Sequence, residues 1–84
     1  MPLAYEIVTP ERLVRSGTAT MVTVPGVEGD FGVLEGHAPF MTVLRDGTVT
    51  IEGGADAGVV TVEGGFAEVN ERGLTILAEA ASVA

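Results

Sequence analysis

Short runs in which apolar and polar residues alternate recur along this chain and constrain its fold more than any other feature. Val49 and Ile51 alternate with polar neighbours in one run, and Val60 and Val62 do so in the next. A period of two residues is typical of strands that bury one face. Turn signals separate the runs, and no segment shows a convincing helical period. The sequence therefore predicts an all-β protein, a β-sandwich or barrel of about eight to ten short strands.

The length of 84 residues is enough for one domain. We expect the sandwich to occupy residues 1–78. Residues 79–84 are expected to form a short C-terminal tail, because this alanine-rich segment is too short for a stable helix on its own.

Three further patterns carry expectations about the path of the chain. Leu13–Val24 is rich in Val and Thr and is interpreted as one long bent strand with a bulge near Ser16-Gly17. Asp46-Gly47 is a strong signal for a tight hairpin turn. Gly64-Gly65 is interpreted as a kink and not as a full break, since a strand pattern resumes directly after it.

One stretch, Val24–Pro39, concentrates glycines, prolines, acids and the only histidine of the chain. Its interleaved apolar residues argue against a flexible linker. We interpret Asp30–Leu34 as a short strand between two tight turns, the second of which ends at Pro39. The predicted structural turn residues of this stretch are Gly26, Gly29, Gly32, Gly36 and Pro39.

The charge balance excludes several classes of partner. The formal net charge is −8, and the only cations are four arginines, with no lysine. Such a chain would repel a phosphate backbone and an anionic membrane surface. No apolar run approaches the length of a membrane span, so direct membrane insertion is not expected. The absence of cysteine excludes disulfides and thiolate metal sites.

Catalytic chemistry is poorly supported by the residue types present. A histidine at position 37 would need a nucleophile and an orienting acid, and the candidate nucleophiles are Ser16 and Ser82. Spacing alone does not exclude a Ser16-His37-Asp triad, but a structural or interface role explains the histidine turn better. A phosphate loop on the glycines of this stretch is rejected, because the intervening Glu28 and Asp30 repel phosphate.

The other two interpretations of this stretch are that it binds a metal ion or that it binds a protein partner. Three oxygen donors and one imidazole, namely Glu28, Asp30, Glu35 and His37, could hold a divalent ion if the turn brings them together. Exposed loops on a rigid sandwich are also a common recognition surface. In that case Glu28 and Asp30 would face donors of a partner, and His37, Phe40 and Thr42 would form a second contact.

The residues of this stretch resemble those of a known family. Val24-Pro25-Gly26, Glu28 through Leu34, and Gly36-His37-Ala38-Pro39 together resemble the epsilon subunit of bacterial F-type ATP synthases, whose mitochondrial counterpart is called delta. Thr9-Pro10-Glu11 with Ser16-Gly17 is similar to the first hairpin of that family. Gly64–Val69 with Leu77-Ala78-Glu79 is similar to its closing strands. The resemblance covers nearly the whole chain.

The resemblance implies a flattened β-sandwich in the central rotor, linking the gamma subunit to the ring of c subunits and coupling ion flow to ATP synthesis. It implies no catalytic residue, no cofactor, and a peripheral place at the cytoplasmic face of a bacterial inner membrane. Glu28 and Asp30 match positions that meet the c ring. Thr9, His37 and Thr42 match positions that face gamma.

Family members commonly continue into a C-terminal helical hairpin that regulates hydrolysis, and this sequence stops at Ala84. The regulatory role is therefore not expected of the residues given. The alternative function is a stand-alone small β domain that binds a metal or small ligand through the ridge from Glu28 to His37.

Overall fold

The computed structural model describes residues 3–34, 36, 38–54 and 57–83, and the structural statements below concern these residues. Ten strands occur in them: β1 (Leu3–Val8), β2 (Leu13–Ala19), β3 (Met21–Gly26), β4 (Gly29–Leu34), β5 (Phe40–Val43), β6 (Gly47–Glu52), β7 (Gly58–Glu63), β8 (Phe66–Asn70), β9 (Gly73–Leu77) and β10 (Ala80–Val83).

The strands form two five-stranded sheets. The first sheet has the order β2-β1-β9-β8-β5, and the second has the order β10-β7-β6-β3-β4. Every strand pair is antiparallel except β1 with β9, which is parallel. A bridge between Gly26 and Leu44 joins the two sheets at one side. The predicted all-β sandwich is confirmed, and no helix occurs in the described ranges.

The core lies between the sheets and is formed by one face of each strand pattern. Val49, Ile51, Val60 and Val62 are buried, as the alternation predicts. The first sheet contributes Tyr5 and other apolar residues, and the Tyr5 hydroxyl is buried without a hydrogen-bond partner among the described residues. Burial of one methylene-sized group contributes about 0.8 kcal/mol, so these inward side chains dominate the stability of the sandwich.

The expectation of one long strand over Leu13–Val24 is wrong. The chain leaves the first sheet after Ala19 and enters the second at Met21, and the amide of Thr20 donates to the carbonyl of Glu52 at 2.8 Å. The burial pattern changes phase at this crossing, since Ala19 and Val22 are both buried. A single strand could not bury both, because they would point to opposite faces.

The bulge is present but lies elsewhere. Ile7 pairs with Arg15 and Val8 pairs with Leu13, so Val14 is the extra residue of β2. The sequence pointed to Ser16-Gly17 because glycine commonly marks a bulge. Here Gly17 is paired in register with Tyr5, and Val14 packs against the core.

Asp46-Gly47 does not close a hairpin, which corrects the second expectation. β5 pairs with β8 in the first sheet, whereas β6 belongs to the second. The amide of Leu44 donates to Gly65 at 2.8 Å and the next amide, of Arg45, donates to Pro25 at 2.9 Å. The Asp-Gly turn therefore connects strands of different sheets.

Gly64-Gly65 likewise separates two strands of different sheets, and the interpretation as a kink within one strand is wrong. Both glycines have positive φ, 62° and 101°. A side chain at Gly65 would place its Cβ 1.9 Å from the carbonyl oxygen of Leu77. Glycine is needed here because the crossing chain passes directly over the end of β9.

Residues 80–83 differ from the expected tail. Ala80–Val83 form β10, which pairs antiparallel with β7 at the edge of the second sheet. The small side chains of Ala80 and Ala81 are half-buried, which suits an edge strand. The sheet therefore extends beyond residue 78.

Candidate docking surface

One row of apolar side chains crosses the whole outer face of the first sheet. The strand register places Val43 beside Phe66, Phe66 beside Leu77, and Leu77 beside Val8. Val8 in turn pairs with Leu13. We call this set, one residue from each of the five strands, the apolar row: Leu13, Val8, Leu77, Phe66 and Val43. Val43 is 58% exposed, and a contiguous apolar surface of this kind is typical of an interaction site.

The neighbouring row on the same face is polar except at the exposed Met41 of β5. Glu6 pairs with Thr75, Thr75 with Glu68, and Glu68 with Met41. Two carboxylates therefore stand next to the apolar row. This arrangement gives the face an apolar end and an acidic end.

Two grooves flank the apolar row where it passes Phe66 and Val43. One has a volume of about 630 Å³ and is also lined by Thr9, Pro10 and Leu77. The other, of about 480 Å³, is also lined by Val27, Glu28 and Thr42. Residues predicted to meet two different partners thus border one continuous surface.

Thr9 and Thr42 have internal hydrogen bonds as well as a place beside these grooves. The buried Thr9 hydroxyl donates to the carbonyl of Arg12 at 3.3 Å, across the turn between β1 and β2. The half-buried Thr42 hydroxyl donates to the carbonyl of Val43 at 3.4 Å. Each hydroxyl proton is therefore already used within the domain, and a partner would meet the two threonines as part of the groove walls.

The β3–β4 hairpin carries the predicted acids. Gly26 pairs with Gly29, which leaves Val27 and Glu28 as the two exposed residues of its tip. The tip is attached to β5, because the amide of Val27 donates to the carbonyl of Val43 at 3.0 Å. This bond brings the hairpin tip to the end of the apolar row.

Asp30 is not available in the way that Glu28 is. Its carboxylate forms an ion pair with the Arg45 guanidinium, whose other terminal nitrogen donates to the carbonyl of Gly26 at 2.7 Å. Both charged side chains are partly exposed. Exposed pairs contribute only ~0.2–1 kcal/mol. The pair nevertheless gives Asp30 a partner within the domain.

An aromatic contact also stabilises the β3–β4 hairpin. The rings of Phe31 and Phe40 lie 5.3 Å apart at an angle of 82°, an edge-to-face arrangement. Such pairs contribute about 0.5–1.5 kcal/mol beyond their buried area. The contact joins the second sheet to the edge of the first.

The structural turn residues are distributed less uniformly than expected. Gly26 and Gly29 flank the hairpin tip, Gly36 lies in a turn with φ of 82°, and Pro39 precedes β5. Gly32 is an exception: it lies in the middle of β4, paired with Thr23, and is not at a turn.

The predicted metal ligands are only partly covered by the structure. Glu28 and Asp30 are described, whereas Glu35 and His37 lie outside the described residues. Within the described ranges, no three acidic or histidine side chains are grouped so that they could hold a metal ion. The same ranges contain no helix long and apolar enough to cross a membrane.

Neither the role of Arg45 nor the apolar row is expected from the sequence. The sequence does not reveal the apolar row, because its members are far apart in the chain and come together only through the register of five strands. A weak signal existed at the ends of strands, where Val8, Leu13 and Leu77 stand in outward phase. Arg45 offered none, since its partner is 15 residues away.

A family model described as the beta-sandwich domain of the ATP synthase delta/epsilon chain matches residues 2–84. The ATP synthase epsilon chain of Caulobacter vibrioides is 57% identical over 77 residues, which cover 92% of this chain and 90% of that protein. The epsilon chain of a Rhodopseudomonas palustris strain is 50% identical over 78 residues, but this chain spans only 58% of its length.

Chains in two solved ATP synthase structures have a similar fold. A chain in the cryo-EM structure of the Euglena gracilis mitochondrial ATP synthase, showing OSCP, F1 and the c-ring, superposes with a TM-score of 0.87 at 25% identity. It is matched over 98% of this chain and 53% of its own length. A chain in the central stalk and c-ring of the Tetrahymena thermophila mitochondrial enzyme has the same fold, with a TM-score of 0.79 at 15% identity. The protein therefore belongs to the ATP synthase delta/epsilon chain family and has the fold of its β-sandwich domain.

Proposed function

We propose that this chain is a non-catalytic rotor subunit of an F-type ATP synthase, which links the gamma subunit to the c ring and couples ion flow to ATP synthesis. The observation that carries the proposal is the apolar row, which leaves five apolar side chains on the outer face of an otherwise well-packed sandwich. A surface of this kind is covered in a stable assembly.

The gamma subunit is the proposed occupant of the apolar row. Thr9 and Thr42, which match gamma-facing positions of the family, border the two grooves on either side of Phe66 and Val43. His37 is proposed for the same contact from the family match alone. Apolar side chains at the centre and threonines at the margin fit the usual anatomy of a protein interface.

The c ring is the proposed partner of the β3–β4 hairpin. Its tip projects Val27 and Glu28, and both are exposed. The chain carries −8 overall, so a partner loop with amide or cationic donors would suit this tip. The site is then peripheral to the membrane, with no insertion of this chain.

Co-purification tests the proposal. Purified chain is mixed with a gamma subunit and separated by size-exclusion chromatography. We expect a one-to-one complex, and ATP-driven ion pumping by membranes depleted of this subunit should recover when the chain is added back. A folded chain that forms no complex and restores no pumping would contradict the proposal.

A further inference from the structure

The two acids of the β3–β4 hairpin have different surroundings. Glu28 is exposed at the tip, and no side chain of the described residues pairs with it. Asp30 is paired with Arg45. A carboxylate that is already paired with one guanidinium is less available to a second cationic partner. Glu28 and Asp30 are therefore not equivalent as docking charges.

Arg45 is attached to the hairpin at three points. Its backbone amide donates to the carbonyl of Pro25 at 2.9 Å. One guanidinium nitrogen donates to the carbonyl of Gly26 at 2.7 Å, and the other contacts the carboxylate of Asp30. These acceptors lie on both strands of the hairpin, so the side chain spans it just below the tip.

Close backbone packing makes this arrangement possible. A Cβ on Gly47 would lie 2.9 Å from the Cβ of Pro25, and a Cβ on Gly26 would lie 2.8 Å from the carbonyl oxygen of Gly29. Glycine at position 47 lets the start of β6 lie directly against Pro25 of β3, and glycine at position 26 lets the two strands of the hairpin approach each other closely. Arg45 lies on the connection between β5 and β6 and is thereby held within reach of Asp30.

We propose that Arg45 is a positioning residue for the hairpin tip, and that Asp30 acts through Arg45 and does not itself touch the c ring. Glu28 is then the single hairpin acid that meets the ring, beside the apolar Val27. The part of this inference that concerns the ring rests on the proposed function. The part that concerns the tip does not.

Amide hydrogen exchange tests the positioning role in the free chain. The probe is the amide of Val27, which bonds to Val43 at the base of the tip. Arg45→Met should raise its exchange rate roughly 1.4- to 5-fold, the range expected for an exposed ion pair. Arg45→Lys should recover part of the protection, and Arg72→Met, in the β8–β9 turn, should change nothing at Val27. An unchanged rate in Arg45→Met would overturn the proposal.

A double-mutant cycle tests whether Asp30 touches the ring. Binding to membranes that carry the c ring and gamma is measured for Asp30→Ala, Arg45→Met and the double variant, with Glu28→Gln as the reference for direct contact. If Asp30 acts through Arg45, the double variant should bind no more weakly than the weaker single variant. Losses that multiply would show that Asp30 contacts the ring independently and would overturn this part.

The two measurements separate this inference from the proposed function. Suppose that Val27 exchange responds as expected while no variant, Glu28→Gln included, changes binding. That result would overturn the ring contact and leave the positioning of the tip by Arg45 established. If exchange does not respond but Glu28→Gln weakens binding, the ring contact stands and the positioning role fails.

Discussion

The outer faces of the two sheets are built on the same alternation but carry different residues. The first sheet presents the apolar row across all five of its strands. On the second sheet, several neighbouring outward residues carry hydroxyl groups: Ser82 pairs with Thr61, and Thr61 with Thr48. The next row runs from Val59 to Thr50 and Thr23.

This difference separates a solvated face from the face proposed for docking. Threonine suits an exposed strand, because its β-branched side chain favours extended backbone while its hydroxyl remains hydrated. An uninterrupted apolar row gains nothing from water and gains free energy when it is covered. The inner faces are equally apolar in both sheets, so only the outer faces distinguish one side of the sandwich from the other.

The largest expected effect is the loss of stability when a core residue is truncated, and it should occur in both sheets. Ile76→Ala in the first sheet should lower the free energy of unfolding by ~2–5 kcal/mol, because the buried side chain leaves a cavity. Val60→Ala should do the same in the second sheet with a smaller loss. Urea unfolding is the measurement. A change near zero at both positions would mean that the inner and outer faces have been exchanged.

The two outer faces are compared most directly by truncating one outward residue of equal exposure on each. Leu77 in the apolar row and Val59 on the second sheet are both 37% exposed. Leu77→Ala should weaken binding to gamma by about 1–2 kcal/mol, or roughly 5- to 30-fold, as expected for an interface residue near the centre of its patch. Val59→Ala should leave the affinity unchanged in calorimetric titration. Equal losses would show that the two faces do not differ in binding.

His37 lies outside the described residues and is proposed as a gamma contact from the family resemblance alone. His37→Ala should weaken gamma binding by about 0.5–1.5 kcal/mol, the value of a single hydrogen bond, and leave the fold intact. Calorimetric titration and thermal unfolding are measured together. If affinity is unaltered while thermal stability falls, the histidine only stabilises its turn.

The smallest effect is expected at the hairpin tip. Glu28→Gln should weaken association with the c ring by ~0.2–1 kcal/mol, and the difference from the unmodified chain should shrink as salt is added. Glu52→Gln, an exposed acid at the end of β6 on the second sheet, is the control. ATP-driven ion pumping reports the outcome. The same modest loss in both variants would indicate an effect of net charge alone.

Much of the fold could be predicted because burial is periodic within each strand. Val49, Ile51, Val60 and Val62 were assigned to the core from their spacing alone. The crossings between sheets were not predictable in the same way. Asp46-Gly47 and Gly64-Gly65 have the chemistry of tight turns, and such a turn serves equally well to close a hairpin or to pass between layers. Which one occurs is decided by the packing of the whole sandwich.

The candidate site combines residues expected from the family resemblance with contacts that the sequence alone does not show. The family match pointed to Glu28, Asp30, Thr9 and Thr42, and all four lie at the hairpin or beside the grooves. Sequence spacing could not show that Asp30 has Arg45 as a partner. Nor could it show that five separate apolar residues form one row, because register over long sequence distances sets both features.

The parallel pairing of β1 with β9 has a consequence for how the chain is made. Tyr5 pairs with Leu74, so one side of β1 stays open until β9 has been synthesised. At about 5–20 residues per second, synthesis of the 69 residues that follow Tyr5, up to Leu74, takes roughly 3–14 s. During that time the β1–β2 hairpin can form, but its free edge and the apolar Ile7 have no cover. The nascent chain therefore carries this open edge until β9 emerges, and folding of the first sheet is completed only after residues 73–77 have left the ribosome.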